Sequence, residues 1–241
     1  MIASCPRRLP PRPGGRAVWA CTLALLLLAP AAVADPALLV DFKRATVGTW
    51  ADYSVKVGTA PEQAMKTRWA FLERNPEGNT LELTVDGPGA AVAKVGGKVV
   101  TRMVLAPDPI GMSRPFRQLV MQVGAQEPVE IPVDLPGLPQ QKFQNPDAKK
   151  RLGTETITVA AGTFSAAHYR DVLPDSTVDA WLSDDVHPLG VVKIVSTPRP
   201  GVAGPGGKPL PAVTMELTAH GRDARPSITR PARPFGPEKK R

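Results

Sequence analysis

The sequence predicts a mainly β protein of about ten antiparallel strands with one or two short helices. Three observations carry this. Apolar residues recur with period two: Tyr53, Val55 and Val57, then Leu81, Leu83 and Val85, then Val213, Met215 and Leu217. Polar residues stand between them, the pattern of a strand with one face on a core and one on water. Gly-rich turn signals separate the runs, and almost no stretch shows helical spacing.

The first 34 residues read as an address rather than as fold. Arg7, Arg8, Arg12 and Arg16 precede an apolar run from Ala17 to Ala29, and Ala32-Val33-Ala34 forms a small-residue cleavage box before Asp35. Those are the parts of a signal peptide for export to the periplasm or beyond. Arg7-Arg8 raises the twin-arginine route, but Leu9-Pro10-Pro11 fits it poorly, which favours general secretion. The apolar run is too short to cross a membrane, and no other stretch reaches the roughly 18–20 residues that crossing needs. Both cysteines, Cys5 and Cys21, fall in this leader, so the chain from Asp35 must be held by its core without disulfides.

In the body, Asp35-Pro36 ahead of Ala37–Phe42 reads as the start of a short helix. Strands are expected from Trp50, at Lys66–Glu73, around Leu81–Val85, and at Lys98–Leu105 and Gln118–Val123. They continue at Thr154–Ala160, Thr163–Val172, Thr177–Ser183, Gly190–Ser196 and Val213–Leu217. Glu77-Gly78-Asn79, Asp86-Gly87-Pro88-Gly89 and Gly96-Gly97 supply positive-φ turns, and Ala161-Gly162 reads as a hairpin. Asn145 to Gly153 reads as one or two helical turns, with Asn and Pro at the start, cations at the end and Gly as the stop. Two long loops, Ala106–Arg117 and Val133–Asn145, carry apolar residues on Pro-rich backbone. A third, Pro198–Pro211, has five Pro and four Gly and is expected to be mobile. Residues 221–241 are Pro/Arg-rich with Ile228 and Phe235 as their sizeable apolar groups, and are expected to be a disordered basic tail. The domains are therefore 1–34, 35–220 and 221–241. By periodicity alone the body is a barrel, a sandwich or a curved open sheet.

The chain carries 30 Lys+Arg against 22 Asp+Glu, a net charge of +8. The leader holds four of those cations and no acid, and residues 221–241 hold seven cations and two acids. The body is left near neutrality, which argues against a nucleic-acid partner. The tail cations suit an anionic envelope surface, or are a solvated extension.

The segments GTETITVAAGTFSAAHYR (Gly153–Arg170), VDAWLSDDVHPLGVVKI (Val178–Ile194) and GTWADYSV (Gly48–Val55) resemble periplasmic proteins of the LolA/LolB-like lipoprotein-carrier superfamily. The likeness covers about a third of the chain. It implies a curved antiparallel sheet, or half-barrel, whose concavity holds lipid or acyl chains. On that reading Trp50, Trp69, Phe71, Met103, Phe164 and Trp181 are candidate pocket-lining residues for an apolar or lipidic ligand. The alternative for these strand aromatics is ordinary core packing. The protein would then be an envelope structural or interaction protein with a filled core, meeting partners through the two long loops.

Nothing points to catalysis. No G-x-S-x-G, no phosphate-binding Gly-rich loop and no metal-ligand spacing occurs. Ser183-Asp184-Asp185-Val186-His187 is the dense polar cluster, and it reads as a strand-ending turn before Pro188. His168 and Tyr169 are adjacent on a strand and therefore face opposite sides. The expectation is a non-enzymatic protein with no cofactor.

Overall fold

A computed structural model describes residues 44–58, 64–87, 97–135, 143, 145–202 and 209–236. The leader, the helix expected after Asp35 and residues 237–241 lie outside the described residues.

The described residues form one curved, open sheet of twelve strands, and it does not close into a barrel. In chain order the strands are β1 (Trp50–Val57), β2 (Met65–Asn75), β3 (Gly78–Asp86), β4 (Val99–Leu105), β5 (Phe116–Val123) and β6 (Val129–Ile131). There follow β7 (Arg151–Val159), β8 (Gly162–Val172), β9 (Ser176–Leu182), β10 (Val191–Pro198), β11 (Val213–Gly221) and β12 (Arg233–Pro234). A single 3-10 turn, Ala148–Lys150, stands where the helical turns were expected, with the Asp147 carboxylate accepting from the Lys149 N–H. The order across the sheet is β12-β6-β5-β4-β3-β2-β1-β11-β10-β9-β8-β7. Two antiparallel meanders, β1 to β6 and β7 to β11, thus meet along the β1–β11 seam.

Register separates the two faces. Phe71, Leu81, Met103, Leu119 and Ile131 are successive cross-strand partners from β2 to β6, and all five are buried. They belong to one apolar cluster that also takes in Tyr53 from β1 and Leu217, Ile194, Ala180 and Val178 from the other half of the sheet. Trp50, Ala70, Glu82, Arg102, Val120 and Glu130 form the matching row on the opposite face, from β1 to β6.

That outer row is crossed by the segment expected to be a disordered tail, and here the expectation fails. Gly221 pairs with Trp50 at the β1–β11 seam, and Pro234 pairs with Glu130 at the far edge. The chain between them is a strap across the row from β1 to β6, which is five inter-strand gaps wide, about 24 Å at the usual strand spacing. Ile228 is buried against Val100 and Val120, with Ala232 beside them. The buried Glu82 carboxylate accepts from the Ser227 N–H at 2.7 Å, the Ile228 N–H and Arg102. Arg102 also donates to the Ile228 carbonyl, and Arg230 donates to the carbonyls of Ala125 and Gln126. Polar bonds to backbone replace the apolar side chains that the segment lacks.

Two glycines show why a smaller residue is needed at particular places. Gly78 was read as a positive-φ turn residue. Its φ is ordinary, and a Cβ there would lie 2.0 Å from the Leu105 carbonyl oxygen. Gly221 lies beneath the Trp50 ring, where a Cβ would meet Cζ2 at 2.9 Å.

Candidate functional site

The six predicted pocket residues do not share one open pocket. Trp69, Phe71, Met103 and Phe164 are buried in the apolar cluster, with exposures between 0% and 8%. Trp181 packs on its margin, stacked on His168 at 4.4 Å. Trp50 is on the other face, where its indole N–H donates to the Arg222 carbonyl and the Arg68 guanidinium lies over its ring at 4.3 Å. Arg68 is fixed there by a two-pronged bond to Asp52, at 2.5 and 2.7 Å, which holds its pKa above the usual value.

The alternation of β8 places His168 and Tyr169 on opposite faces, as expected, and each belongs to a polar arrangement. On the His168 side, register sets His168 opposite Trp181 and Arg170 opposite Asp179. His168 Nδ1 is 2.8 Å from Glu155 Oε1, and its Nε2 is 2.6 Å from Asp179 Oδ1. Both ring nitrogens thus face carboxylate oxygens. The Trp181 indole donates to Glu155 Oε2, and Arg170 donates to Asp179. The Trp181 hydrogen bond first, and His168 second, hold the Glu155 carboxyl below its ordinary pKa. The His168 ring is almost fully buried, so the network ties three strands together and offers little to a substrate.

No motif announces this network. The hairpin does contain the signal. Pairing Val159 with Gly162 across Ala160-Ala161 sets Gly153 opposite His168, and so places Glu155 one diagonal step away on the same face.

On the Tyr169 side lies a cleft of about 460 Å³. Thr154, Ala167 and Leu182 are successive partners across β7, β8 and β9 and form its floor. Ser165, Tyr169 and Arg151 flank them, and Arg44 with the Ser183–Asp185 turn completes the lining. The turn is held by its own backbone. Ser183 N–H donates to the Gly190 carbonyl, Gly190 N–H to the Val186 carbonyl, and Val186 and Leu189 are buried beneath. This is the strand-ending turn expected of the Ser-Asp-Asp cluster. Two donors are pre-set, Arg44 to Asp184 at 2.6 Å and Arg151 to Thr154 Oγ1 at 2.8 Å.

A second cleft, about 290 Å³, lies between the strap and the outer row and is lined by Trp50, Arg68, Glu82, Thr84, Asp223 and Arg225 among others. Polar and charged residues predominate in both linings.

No protein-family model matches the chain, and no curated protein matches it. Solved structures match it at low identity. A candidate lipoprotein from Parabacteroides distasonis is 15% identical, covers 73% of this chain and 96% of its own, and gives a TM-score of 0.34. A hypothetical protein, CT021, from Chlamydia trachomatis is 14% identical over 76% of this chain and 90% of its own, with a TM-score of 0.38. A candidate exported protein with a YmcC-like fold from Bacteroides fragilis is 12% identical over 74% and 97%, with a TM-score of 0.32. Scores this low do not establish a shared fold, and no property of these proteins passes to this chain. The likeness to lipoprotein carriers therefore rests on its motifs alone.

Proposed function

We propose that the chain is an exported, non-enzymatic envelope protein that works through its surface, with a filled interior and no enclosed lipid. The carrying observation is the packing of the inner face. Trp69, Phe71, Met103 and Phe164, the side chains that would line a lipid cavity, are buried in one cluster drawn from both halves of the sheet. A cavity for acyl chains needs an unfilled apolar space, and the two clefts described above are polar. Export is supported by the signal-peptide pattern of residues 1–34.

The two long loops are the proposed contact surface. They are joined: Ile110 and Phe143 form a parallel bridge, Gly111 N–H donates to the Phe143 carbonyl, and Phe116 meets Phe143 edge-on. Phe143 is fully buried, which anchors both loops to the core and leaves Met112 and Val133 exposed. The test separates the two readings. The protein purified from a bacterial periplasm is titrated with an environment-sensitive fatty-acid probe, and native mass spectra are recorded. A filled core predicts no saturable uptake and a ligand-free mass, whereas stoichiometric uptake would restore the lipid reading. A photo-cross-linker at position 112 is expected to yield a discrete adduct in the envelope that Gly/Ser replacement of residues 110–114 abolishes.

A further inference from the structure

The cleft on the Tyr169 side of β7–β9 has a composition that selects a ligand class, and we propose that it binds a neutral saccharide. Its floor is amphipathic. Ala167 and Leu182 give a small apolar strip with the Tyr169 ring beside it, and Thr154, Ser165 and Ser183 place hydroxyls around that strip. A sugar ring has the complementary build, one C–H face and a girdle of hydroxyls that both donate and accept. Aromatic rings suit such a face because one end is apolar and the other polar.

Charge narrows the choice. Two guanidinium groups, Arg44 and Arg151, are matched by two carboxylates, Asp184 and Asp185, so neither a polyanion nor a polycation is favoured. The apolar strip is too small for an acyl chain. The volume, about 460 Å³, lies within the range of small-molecule sites. The lining is held on rigid elements: three paired strands for the floor, and a turn fixed by Gly190 and Val186 for one wall. Among the described residues β7 is an edge strand with no strand beyond it, which leaves that side of the cleft open to a continuing chain. An internal unit of a longer glycan is therefore as well accommodated as a free end.

The proposal stands apart from the loop surface, whose residues lie elsewhere, so either can fail alone. Its test is saturation-transfer NMR and calorimetry on the full exported protein, with chitotriose and maltotriose as probes. Saturable binding of at least one sugar is expected in the millimolar range or tighter. Tyr169→Ala and Asp185→Ala should each weaken it about tenfold or more. Thr84→Ala, in the other cleft, should leave it unchanged, and thermal unfolding should show that the Tyr169 and Asp185 variants remain folded. No saturation by either sugar through the tens of millimolar overturns the proposal. So does binding that survives Tyr169→Ala and Asp185→Ala together, or preferential binding of trilysine or a short acidic peptide at the same residues.

Discussion

Single side chains show how strongly position overrides residue type in this protein. Glu82 sits between Leu81 and Leu83 and reads as a solvent-facing strand residue, yet it is 2% exposed and accepts from two strap N–H groups and from Arg102 on β4. Removing a buried charged acceptor leaves the Ser227 and Ile228 N–H groups without their acceptor and Arg102 without its counter-charge. Glu82→Ala should therefore destabilise by about 3 kcal/mol, measured by urea unfolding. Tyr53 is the second case. Burial, and then the Asp52 charge, push its phenol pKa well above the usual value. A phenol favoured in its neutral form contributes stability in full below its unfolded value near 10 and loses it as pH rises past that value. Tyr53→Phe should flatten the alkaline limb of stability against pH. It should also cost about 1 kcal/mol at neutral pH, because the Val191 carbonyl loses its donor. Glu155 runs the other way. Its depressed carboxyl contributes stability above its unfolded value near 4.3, lost as pH falls through the folded value. Glu155→Gln should flatten the acid limb in the same experiment.

At the level of elements, strands with clean alternation were legible and the pieces held by distant partners were not. Tyr53, Val55 and Val57 found β1, and Val213, Met215 and Leu217 found β11, because side-chain period and burial agree there. β6 and β12 are three and two residues long, too short for any period to register. The strap was hidden for a different reason. Its composition is that of a solvated tail, and its order comes from Glu82, Arg102 and the Ala125–Gln126 carbonyls, which are remote in sequence. Of the candidate site, the separation of His168 from Tyr169 and the turn at Ser183–Asp185 were legible. The cleft was not, because it needs the curvature that brings Arg44 to Asp184. Ile228→Ala tests the strap as an element. It should cost about 2–4 kcal/mol and raise hydrogen exchange at residues 222–234 more than in β3 or β4.

Across the whole molecule, the larger apolar cluster spans both meanders, so the two halves share their main core. Unfolding should be a single transition, with near- and far-ultraviolet circular dichroism superimposing in urea. Two separated transitions would show that the β1–β6 half holds together without its neighbour.

The β1–β11 seam has a consequence in time. Trp50 and Gly221 are partners at opposite ends of the described chain. As the polypeptide emerges from the ribosome amino end first, β1 must wait with a bare edge while β2 to β10 appear. Such an edge is a template for pairing with the wrong chain, and closing so long a loop is slow. β11, the last strand but one to arrive, heals that edge, and the strap then carries the chain back across the first meander to pair β12 with β6. Correct folding is thus decided near the end of synthesis, and a chain cut before Val213, which lacks β11, would be expected to aggregate through the unmated edges of β1 and β10.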